Sequence, residues 1–186
     1  MIHPTAIVLT SNIGANTSVW QFCVVSEEVF IGSDCNICSH CFIEKGVIIG
    51  DRVTVKNGVQ LWTGLSIGND VFIGPNVTFC NDRKPRSKRY PSEFQTTVIK
   101  SGASIGAGAV ILPGLSVGHN ALVGAGAVVT SDVKDFAQVQ GCPAKQVAWV
   151  GKDGKKLQSL GNSVWECIST GTKFLESKGI LKEITA

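Results

Sequence analysis

Residues 67–78 read IGNDVFIGPNVT, which is two copies of a six-residue unit that starts with isoleucine and glycine. Stepping by six from Ile7 to Phe79 meets an apolar residue at thirteen successive positions, and the period resumes at Ile99 after a phase shift of two. A helix would need an apolar spacing of three or four, and a half-buried strand a spacing of two. The strict period of six therefore predicts a repeat architecture.

A second pattern lies inside each unit. Small or β-branched residues stand four positions after the aliphatic residue, as Cys23 follows Val19 and Val29 follows Val25. Residues four apart on an extended segment point to the same face, so both series are predicted to be buried. Glycine follows the aliphatic residue in many units, and asparagine or aspartate often stands three positions after it. These residues tolerate left-handed backbone and predict a corner at the end of each short strand.

Three such units with three corners close a triangular coil of about 18 residues, and stacked coils bury one continuous aliphatic column. Residues 7–134, without an interruption at 80–98, make about six coils of this kind. A sandwich of short antiparallel strands is the alternative, but a sandwich has no reason to keep one phase over thirteen units. The spacing does not fix the handedness, and parallel crossovers are usually right-handed.

The composition excludes several classes of protein. No apolar run approaches the roughly 18 residues of a membrane span, and the N-terminal MIHPTAIVLT lacks the basic start and apolar centre of a signal peptide. Seven cysteines, an odd number, favour reduced thiols over a disulfide framework. A net charge of +3 is too small to favour nucleic acid. We therefore expect a cytoplasmic protein with no membrane or nucleic-acid partner.

The interruption at 80–98 carries the charge of the protein. It holds five basic and two acidic side chains, so the net charge of the whole chain, +3, lies in this segment. A coil that loses its repeat must send its backbone outward, because a buried irregular loop could not satisfy its polar groups. A basic loop with aromatic and proline anchors suits a phosphorylated small molecule, since arginine binds phosphate oxygens in pairs. A disordered charged segment is the alternative.

The units IGANTS, IGSDCN, IGPNVT and VGAGAV resemble the hexapeptide repeat of the left-handed β-helix acyltransferases. The resemblance covers residues 1–148 and includes GCPAK at 141–145, which is similar to the motif that closes these helices. It implies an all-β fold, a left-handed parallel β-helix of triangular coils with one extruded loop. Residues 149–186 lose the period, and their turn signals between short apolar runs predict a β-like C-terminal extension that covers the coil stack.

The loop carries a narrower resemblance. The stretch VFIGPNVTFCNDRKPRSK at 71–88 resembles the corresponding loop of N-acetyltransferases that modify nucleotide-linked amino sugars. Residues 59–79 look most like the branch that acts on dTDP-3-amino-3,6-dideoxyhexoses, while a UDP-linked 3-amino-glucuronate is the alternative acceptor. The resemblance implies acetyl-CoA as the cosubstrate, a homotrimer with active sites between subunits, and a role in lipopolysaccharide or S-layer glycan synthesis.

The same resemblance implies roles for particular residues. The asparagine that matches Asn81 lies beside the reacting amine in the resembled family. The neighbouring Asp82 is the alternative proton acceptor if the reaction uses a base. The residues expected to bind acetyl-CoA are Gly106, Ala107, Ala125 and, near the nucleotide end, Lys145.

Outward polar and aromatic residues complete the predicted acceptor site. Arg86 is expected to contact either a substrate phosphate or a carboxylate of the loop. An exposed tryptophan is costly to leave in water, so trimer packing and stacking on a nucleotide base are both open for the two tryptophans. A solvated surface histidine is the alternative for the one histidine of the set. The remaining candidates for substrate binding are Trp20, Gln21, His40, Asn57, Gln60 and Trp62.

Histidine is scarce, and its scarcity bears on the mechanism. The chain has three histidines and the loop has none, whereas many O-acetyltransferases of this fold use a loop histidine as a base. An amine with a pKa of roughly 8 already has a free-base fraction at pH 7, so N-acetylation is favoured. O-acetylation, and a zinc enzyme of the β-helix fold with three convergent histidines, are the less favoured alternatives.

The sequence CxxCxxC at 35–41 raises the question of a metal site. The repeat phase predicts that Cys35 and Cys41 point inward and that Cys38 points outward, so the three thiols cannot converge. Cys23 and Cys41 lie 18 residues apart and are expected to stack in successive coils as small core residues. We therefore predict no metal site.

Overall fold

The computed structural model describes residues 1–184, and the last two residues of the predicted extension lie outside this range. The described residues form strands, most of them two residues long, and none of them forms a helix that could span a membrane. In chain order the strands are β1 Ile7–Val8, β2 Ser18–Val19, β3 Val24–Val25, β4 Phe30–Ile31, β5 Asn36–Ile37, β6 Phe42–Ile43, β7 Ile48–Ile49, β8 Thr54–Val55, β9 Gln60–Leu61, β10 Leu65–Ile67, β11 Phe72–Ile73, β12 Thr78–Phe79, β13 Thr97–Ile99, β14 Ser104–Ile105, β15 Val110–Ile111, β16 Ser116–Val117, β17 Leu122–Val123, β18 Val128–Val129, β19 Ala137–Gln140, β20 Lys145–Trp149, β21 Gln158–Gly161, β22 Val164–Glu166, β23 Lys173–Ser177 and β24 Ile180–Ile184.

Three parallel sheets form the sides of a triangular coil. Successive strands go to successive sheets, and residues that pair in the regular part are 18 apart, as Val24 pairs with Phe42 and Phe42 with Gln60. Face 1 contains β1, β3, β6, β9, β12, β15 and β18; face 2 contains β4, β7, β10, β13 and β16; face 3 contains β2, β5, β8, β11, β14, β17 and β19. This is the stacked parallel coil that the period of six predicts.

The core follows the two predicted series. From Val19 to Val129 every aliphatic or aromatic residue of the six-residue series is at most 3% exposed. The second series, which includes Cys23, Cys41 and Ala103, is buried as well. The Cys23 thiol donates a hydrogen bond to the carbonyl of Cys38 at 3.0 Å, so a small side chain of the core also satisfies a backbone group of the next coil. Both burial predictions are confirmed.

Left-handed backbone marks the corners. Positive φ recurs every six residues through the regular part of the chain, and asparagine, aspartate or glycine occupies most of these positions, as the sequence predicts. Phe22 and His40, which have no special tolerance for this conformation, also adopt it, with φ of 59° and 63°. The corner positions are Asn16, Phe22, Glu28, Asp34, His40, Gly46, Arg52, Gly58, Gly64, Asp70, Asn76, Gly102, Gly108, Gly114, Asn120 and Gly126.

The first coil departs from the predicted phase. Ile7 pairs with Val24 and is 56% exposed, whereas Val8 pairs with the buried Val25. The prediction that Ile7 points inward is therefore wrong, because this coil is one residue shorter and the inward position falls on Val8. Such short coils at the ends also explain why face 1 has seven strands, about seven turns, where the spacing predicted about six.

The extruded loop leaves the helix between face 1 and face 2. Thr78 pairs with Val110, 32 residues on, where regular partners are 18 apart, so the loop adds 14 residues to this coil. Its far end is fixed where the Thr97 N–H donates to the carbonyl of Gly64 at 3.0 Å. The Gly114 N–H donates to Thr97 Oγ1 at 3.0 Å, so the loop end is held between two coils.

The C-terminal extension covers the last coil. β20 runs antiparallel to β19, and β21 to β24 form a separate four-stranded antiparallel sheet. The indole nitrogens of Trp149 and Trp165 both donate to Glu176 Oε2, at 3.1 and 3.0 Å, and the ring of Phe136 packs 5.2 Å from that of Phe174. The predicted boundary between 148 and 149 falls inside β20.

Candidate active site

Two edges of the triangular helix carry the predicted site residues. The alanine edge, between face 3 and face 1, consists of the corners Gln21–Phe22, Ser39–His40, Asn57–Gly58, Pro75–Asn76, Ala107–Gly108 and Ala125–Gly126. The loop edge, between face 1 and face 2, consists of the corners Glu27–Glu28, Lys45–Gly46, Thr63–Gly64, the extruded loop 80–96 and Pro113–Gly114.

The upper part of the alanine edge is a strip of bare backbone. Ala107, Gly108, Ala125 and Gly126 are all exposed, and a methyl group added at either glycine would meet nothing within 4 Å. The Gly126 N–H donates to the carbonyl of Ala107 at 2.9 Å, so the two corners stack directly. This strip has the shape that a narrow, flexible chain such as a pantetheine arm would need to lie along the coils.

Gly106 has a different reason to be glycine. A Cβ at this position would lie 2.5 Å from the backbone nitrogen of Ala125, which is closer than real contacts allow. Glycine here lets one coil stack on the next. Its role in holding a cosubstrate remains a prediction.

The lower part of the alanine edge opens into a polar groove. It has a volume of about 290 Å³ and is lined by Trp20, Gln21, Asn36, Cys38, Ser39 and Asn57. Three of the predicted substrate-binding residues thus lie together. His40 lies on the same edge with its ring 5.1 Å from that of Phe22, and Cys38, predicted to point outward, borders the groove at 9% exposure.

The loop edge carries the predicted catalytic pair. Asn81 and Asp82 border a loop groove of about 410 Å³, whose other lining residues are Arg83, Lys84, Pro91, Glu93 and Gln95. Asp82 Oδ1 accepts a hydrogen bond from the Lys84 N–H at 2.8 Å, which makes a tight turn directly after Asn81. The groove combines an amide, a carboxylate and two cations, which suits a polar, anionic ligand.

Trp62 lies beside Asn81. Both line a small pocket at the base of the loop, and the Trp62 ring packs 5.6 Å from that of Phe42 on face 1. Cys80 lines the same pocket, and burial raises the pKa of its thiol. At neutral pH Cys80 is therefore a protonated thiol and not a nucleophile.

Three predicted residues lie apart from these clusters. Arg86 stands at the outer turn of the loop, where its guanidinium donates to the carbonyl of Pro85 at 2.8 Å. Gln60 lies on face 1 between the two edges, and its side chain donates to the carbonyl of Gly58 at 3.0 Å. Lys145 borders a cavity of about 190 Å³ at the C-terminal end of the coils.

One chain therefore does not bring all predicted residues together. Asn76 and Asn81 belong to the same coil, but they lie at opposite ends of one side of the triangle. The bare strip and the polar groove occupy one end of that side, and the loop groove occupies the other. The site that the sequence predicts is split between two edges.

The cysteine and histidine residues form no metal site. Within residues 1–184 no group of three or more histidine, cysteine, aspartate or glutamate side chains is arranged to hold a metal ion. Burial raises the pKa of the Cys35 thiol, which donates to the carbonyl of Gly50 at 3.1 Å. A protonated thiol of this kind is a core residue and not a metal ligand.

The sequence reasoning missed several residues of the grooves. Asn36 lines the polar groove, and its position directly before the inward Ile37 was a usable signal, because parity points it outward. Arg83 and Gln95 line the loop groove, and Arg83 Nη2 donates to the carbonyl of Pro113 at 3.0 Å. That contact joins the loop to the next coil, and no spacing rule could have found it.

Comparison with known families matches two parts of the helix. Residues 96–131 match the family described as "Bacterial transferase hexapeptide (six repeats)". Residues 28–61 match the "Hexapeptide repeat of succinyl-transferase". Both segments lie within the coil region.

Among characterised relatives, the dTDP-3-amino-3,6-dideoxy-alpha-D-galactopyranose 3-N-acetyltransferase of Aneurinibacillus thermoaerophilus is 46% identical over 98% of this chain and 94% of its own length. The serine acetyltransferase of Bacillus subtilis is 37% identical over 54% of this chain and 42% of its own. A similar solved structure is that of a mutant of AntD, an N-acyltransferase from Bacillus cereus, in complex with dTDP and coenzyme A. It has a TM-score of 0.69 at 18% identity and covers 78% of this chain and 86% of its own.

The stacked six-residue units define a hexapeptide-repeat transferase. The near full-length similarity to the Aneurinibacillus enzyme then fixes the group. The chain belongs to the hexapeptide-repeat acetyltransferases, which fold as left-handed parallel β-helices, and within them to the nucleotide-linked amino-sugar N-acetyltransferases. The predicted family and fold class are confirmed.

Proposed function

We propose that the protein transfers an acetyl group from acetyl-CoA to the 3-amino group of a dTDP-linked 3-amino-3,6-dideoxyhexose. The observation that carries the proposal is the 46% identity to the Aneurinibacillus enzyme over 98% of this chain, an extent that leaves room for neither a missing coil nor a missing loop. The basic loop groove supports it, because its cations suit the diphosphate of a sugar nucleotide. Arg86 at the outer turn is a further candidate for a phosphate contact.

The reaction needs orientation more than it needs a base. The side-chain oxygen of Asn81 accepts one hydrogen of the sugar amine and aims the nitrogen lone pair at the thioester carbon. The C–N bond forms, the C–S bond breaks, and the excess proton of the amine passes to the departing CoA sulfur. The products are an N-acetyl sugar nucleotide and free CoA. Asp82 would take the proton instead if the enzyme used a base.

Acetyl-CoA is proposed to lie along the bare strip of the alanine edge. The exposed corners Ala107–Gly108 and Ala125–Gly126 would face its pantetheine arm, with Gly106 below them. Lys145, at the C-terminal end of the coils, would meet the phosphates of the nucleotide end.

We further propose a homotrimer in which each active site lies between two subunits. The split of the site between two edges supports this arrangement, since the loop edge of one subunit could face the alanine edge of the next. A closed three-fold ring uses the same contact three times and leaves no edge unpaired.

The proposed setting is the bacterial cytoplasm, where acetyl-CoA is available and thiols stay reduced. The seven free cysteines fit such a compartment. The product would supply an N-acetylated deoxyhexose for surface polysaccharide, either lipopolysaccharide or S-layer glycan.

A thiol-release assay tests the proposal. Purified protein is mixed with acetyl-CoA and a panel of dTDP- and UDP-linked amino sugars, and free CoA is measured continuously. We expect turnover with a dTDP-linked 3-amino sugar and weaker turnover with a UDP-linked 3-amino-glucuronate. Acetyl transfer to hydroxyl acceptors in place of amines would overturn the proposal and favour the O-acetyltransferase alternative, for which the similarity to serine acetyltransferase is the supporting observation.

A further inference from the structure

The polar groove of the alanine edge has the features of a site for a flat, neutral ring. Trp20 is 36% exposed, and its indole nitrogen donates to Asn36 Oδ1 at 2.6 Å. Because this bond fixes the indole by its edge, the face of the ring remains available for stacking. No charged side chain lines the groove, in contrast to the loop groove with Arg83 and Lys84.

The groove also presents a fixed amide. Asn57 Nδ2 donates to Ser39 Oγ at 2.6 Å, which holds the side chain in place. Within residues 1–184 the carbonyl oxygen of this amide has no protein partner, and one of its two hydrogens is also unused. A donor and an acceptor therefore stand side by side next to an aromatic plate.

The groove is continuous with the rest of the alanine edge. The Asn76 N–H donates to the carbonyl of Asn57, and the Gly108 N–H donates to the carbonyl of Pro75, both at 3.0 Å. Two coil steps of roughly 4.8 Å therefore separate Asn57 from the bare strip at Ala107. Asn81 belongs to the coil between these two levels, since Thr78 pairs with both Gln60 and Val110.

We propose that the polar groove binds the pyrimidine base of the sugar nucleotide, with Trp20 stacking on the ring and the Asn57 amide pairing with its imide edge. Thymine and uracil carry one N–H between two carbonyls, so the amide oxygen accepts from that N–H and the amide nitrogen donates to a carbonyl. The inference rests on the proposed function. It adds that the two substrates enter the site from opposite ends and meet at the level of Asn81.

Calorimetric titration of the intact protein with dTDP, UDP and inorganic pyrophosphate tests this assignment. Trp20→Ala is expected to weaken dTDP and UDP binding by about 10- to 100-fold, the range typical for loss of a base-stacking ring. Trp20→Phe keeps a flat ring and should stay within about threefold of wild type. Asn57→Asp replaces the donor by a negative charge and should weaken both nucleotides by about tenfold. The matched control is Asn12→Asp, at an exposed position remote from the groove, which should bind as wild type does.

Pyrophosphate separates the base from the phosphates. We expect its affinity to be unchanged in both groove variants, and an equal loss of pyrophosphate and dTDP binding would mean that the groove holds phosphate. Unchanged nucleotide affinity in both Trp20→Ala and Asn57→Asp would also overturn the assignment. Either result leaves the proposed acetyltransferase function intact, because that function is decided by turnover in the thiol-release assay.

Discussion

Asn81 is the residue on which the proposed chemistry depends most. Its side chain borders the loop groove, and the tight turn made by Asp82 and the Lys84 N–H fixes the backbone directly after it. Asn81→Ala should lower kcat by about 10- to 1000-fold, roughly 1.4 to 4 kcal/mol, because it removes an orientational effect. The thiol-release assay gives kcat, and size-exclusion chromatography checks that the assembly is unchanged. Full activity would show that the amine is held elsewhere.

Asp82 provides the contrast at the same scale. If no side chain acts as a base, the pH dependence of kcat follows the free amine of the sugar, and Asp82→Asn keeps the shape of the profile. Its rate should fall less than that of Asn81→Ala, since an asparagine oxygen can still accept the bond from the Lys84 N–H. The measurement is kcat from pH 5 to 9 for wild type and variant. Loss of the acid-side limb in Asp82→Asn would identify this carboxylate as the base.

Among the elements, the extruded loop is the one held by a single side-chain contact to the coil above. Arg83 Nη2 donates to the carbonyl of Pro113, whereas the backbone of Arg89 bonds only within the loop, to Arg86. Arg83→Ala should free the segment that carries Asn81, lowering kcat by about 5- to 10-fold. Chymotrypsin cleavage after Phe94 should become several-fold faster. Arg89→Ala removes the same charge and should be cleaved at the wild-type rate; equal cleavage of both variants would assign the effect to charge.

The regular elements are also where the sequence was most informative. The period of six predicted the buried series from Val19 to Val129 and the left-handed corners, because each unit repeats the same local physics. The phase slip at Ile7 was not predictable, since Ile7 and Val8 are both apolar and only pairing with the next coil distinguishes them. In the site, the spacing brought Trp20, Gln21 and Asn57 together but could not show that Asn81 lies on another edge. That separation depends on where each corner falls in a coil of three sides.

At the scale of the whole molecule, the split site makes a quantitative prediction about assembly. If every active site combines the loop edge of one subunit with the alanine edge of the next, a defect in either edge inactivates a pure trimer. Asn81→Ala is the loop-edge defect. Ala125→Trp is the alanine-edge defect, because Ala125 is exposed and a large ring there fills the bare strip. Ala125→Ser is its conservative control and should remain active.

Mixing the two inactive proteins should restore activity. Any trimer that contains both kinds of subunit has one junction at which an intact loop edge meets an intact alanine edge. Random exchange at equal concentrations gives mixed trimers in about three quarters of cases, each with one good site in three, so about a quarter of wild-type turnover should return. The measurement is the thiol-release rate after the two variants are unfolded together and refolded, compared with each variant refolded alone. Absence of any recovery, in samples shown by mass spectrometry to contain mixed trimers, would mean that each site is built within one chain, and the three-fold arrangement would then have no part in catalysis.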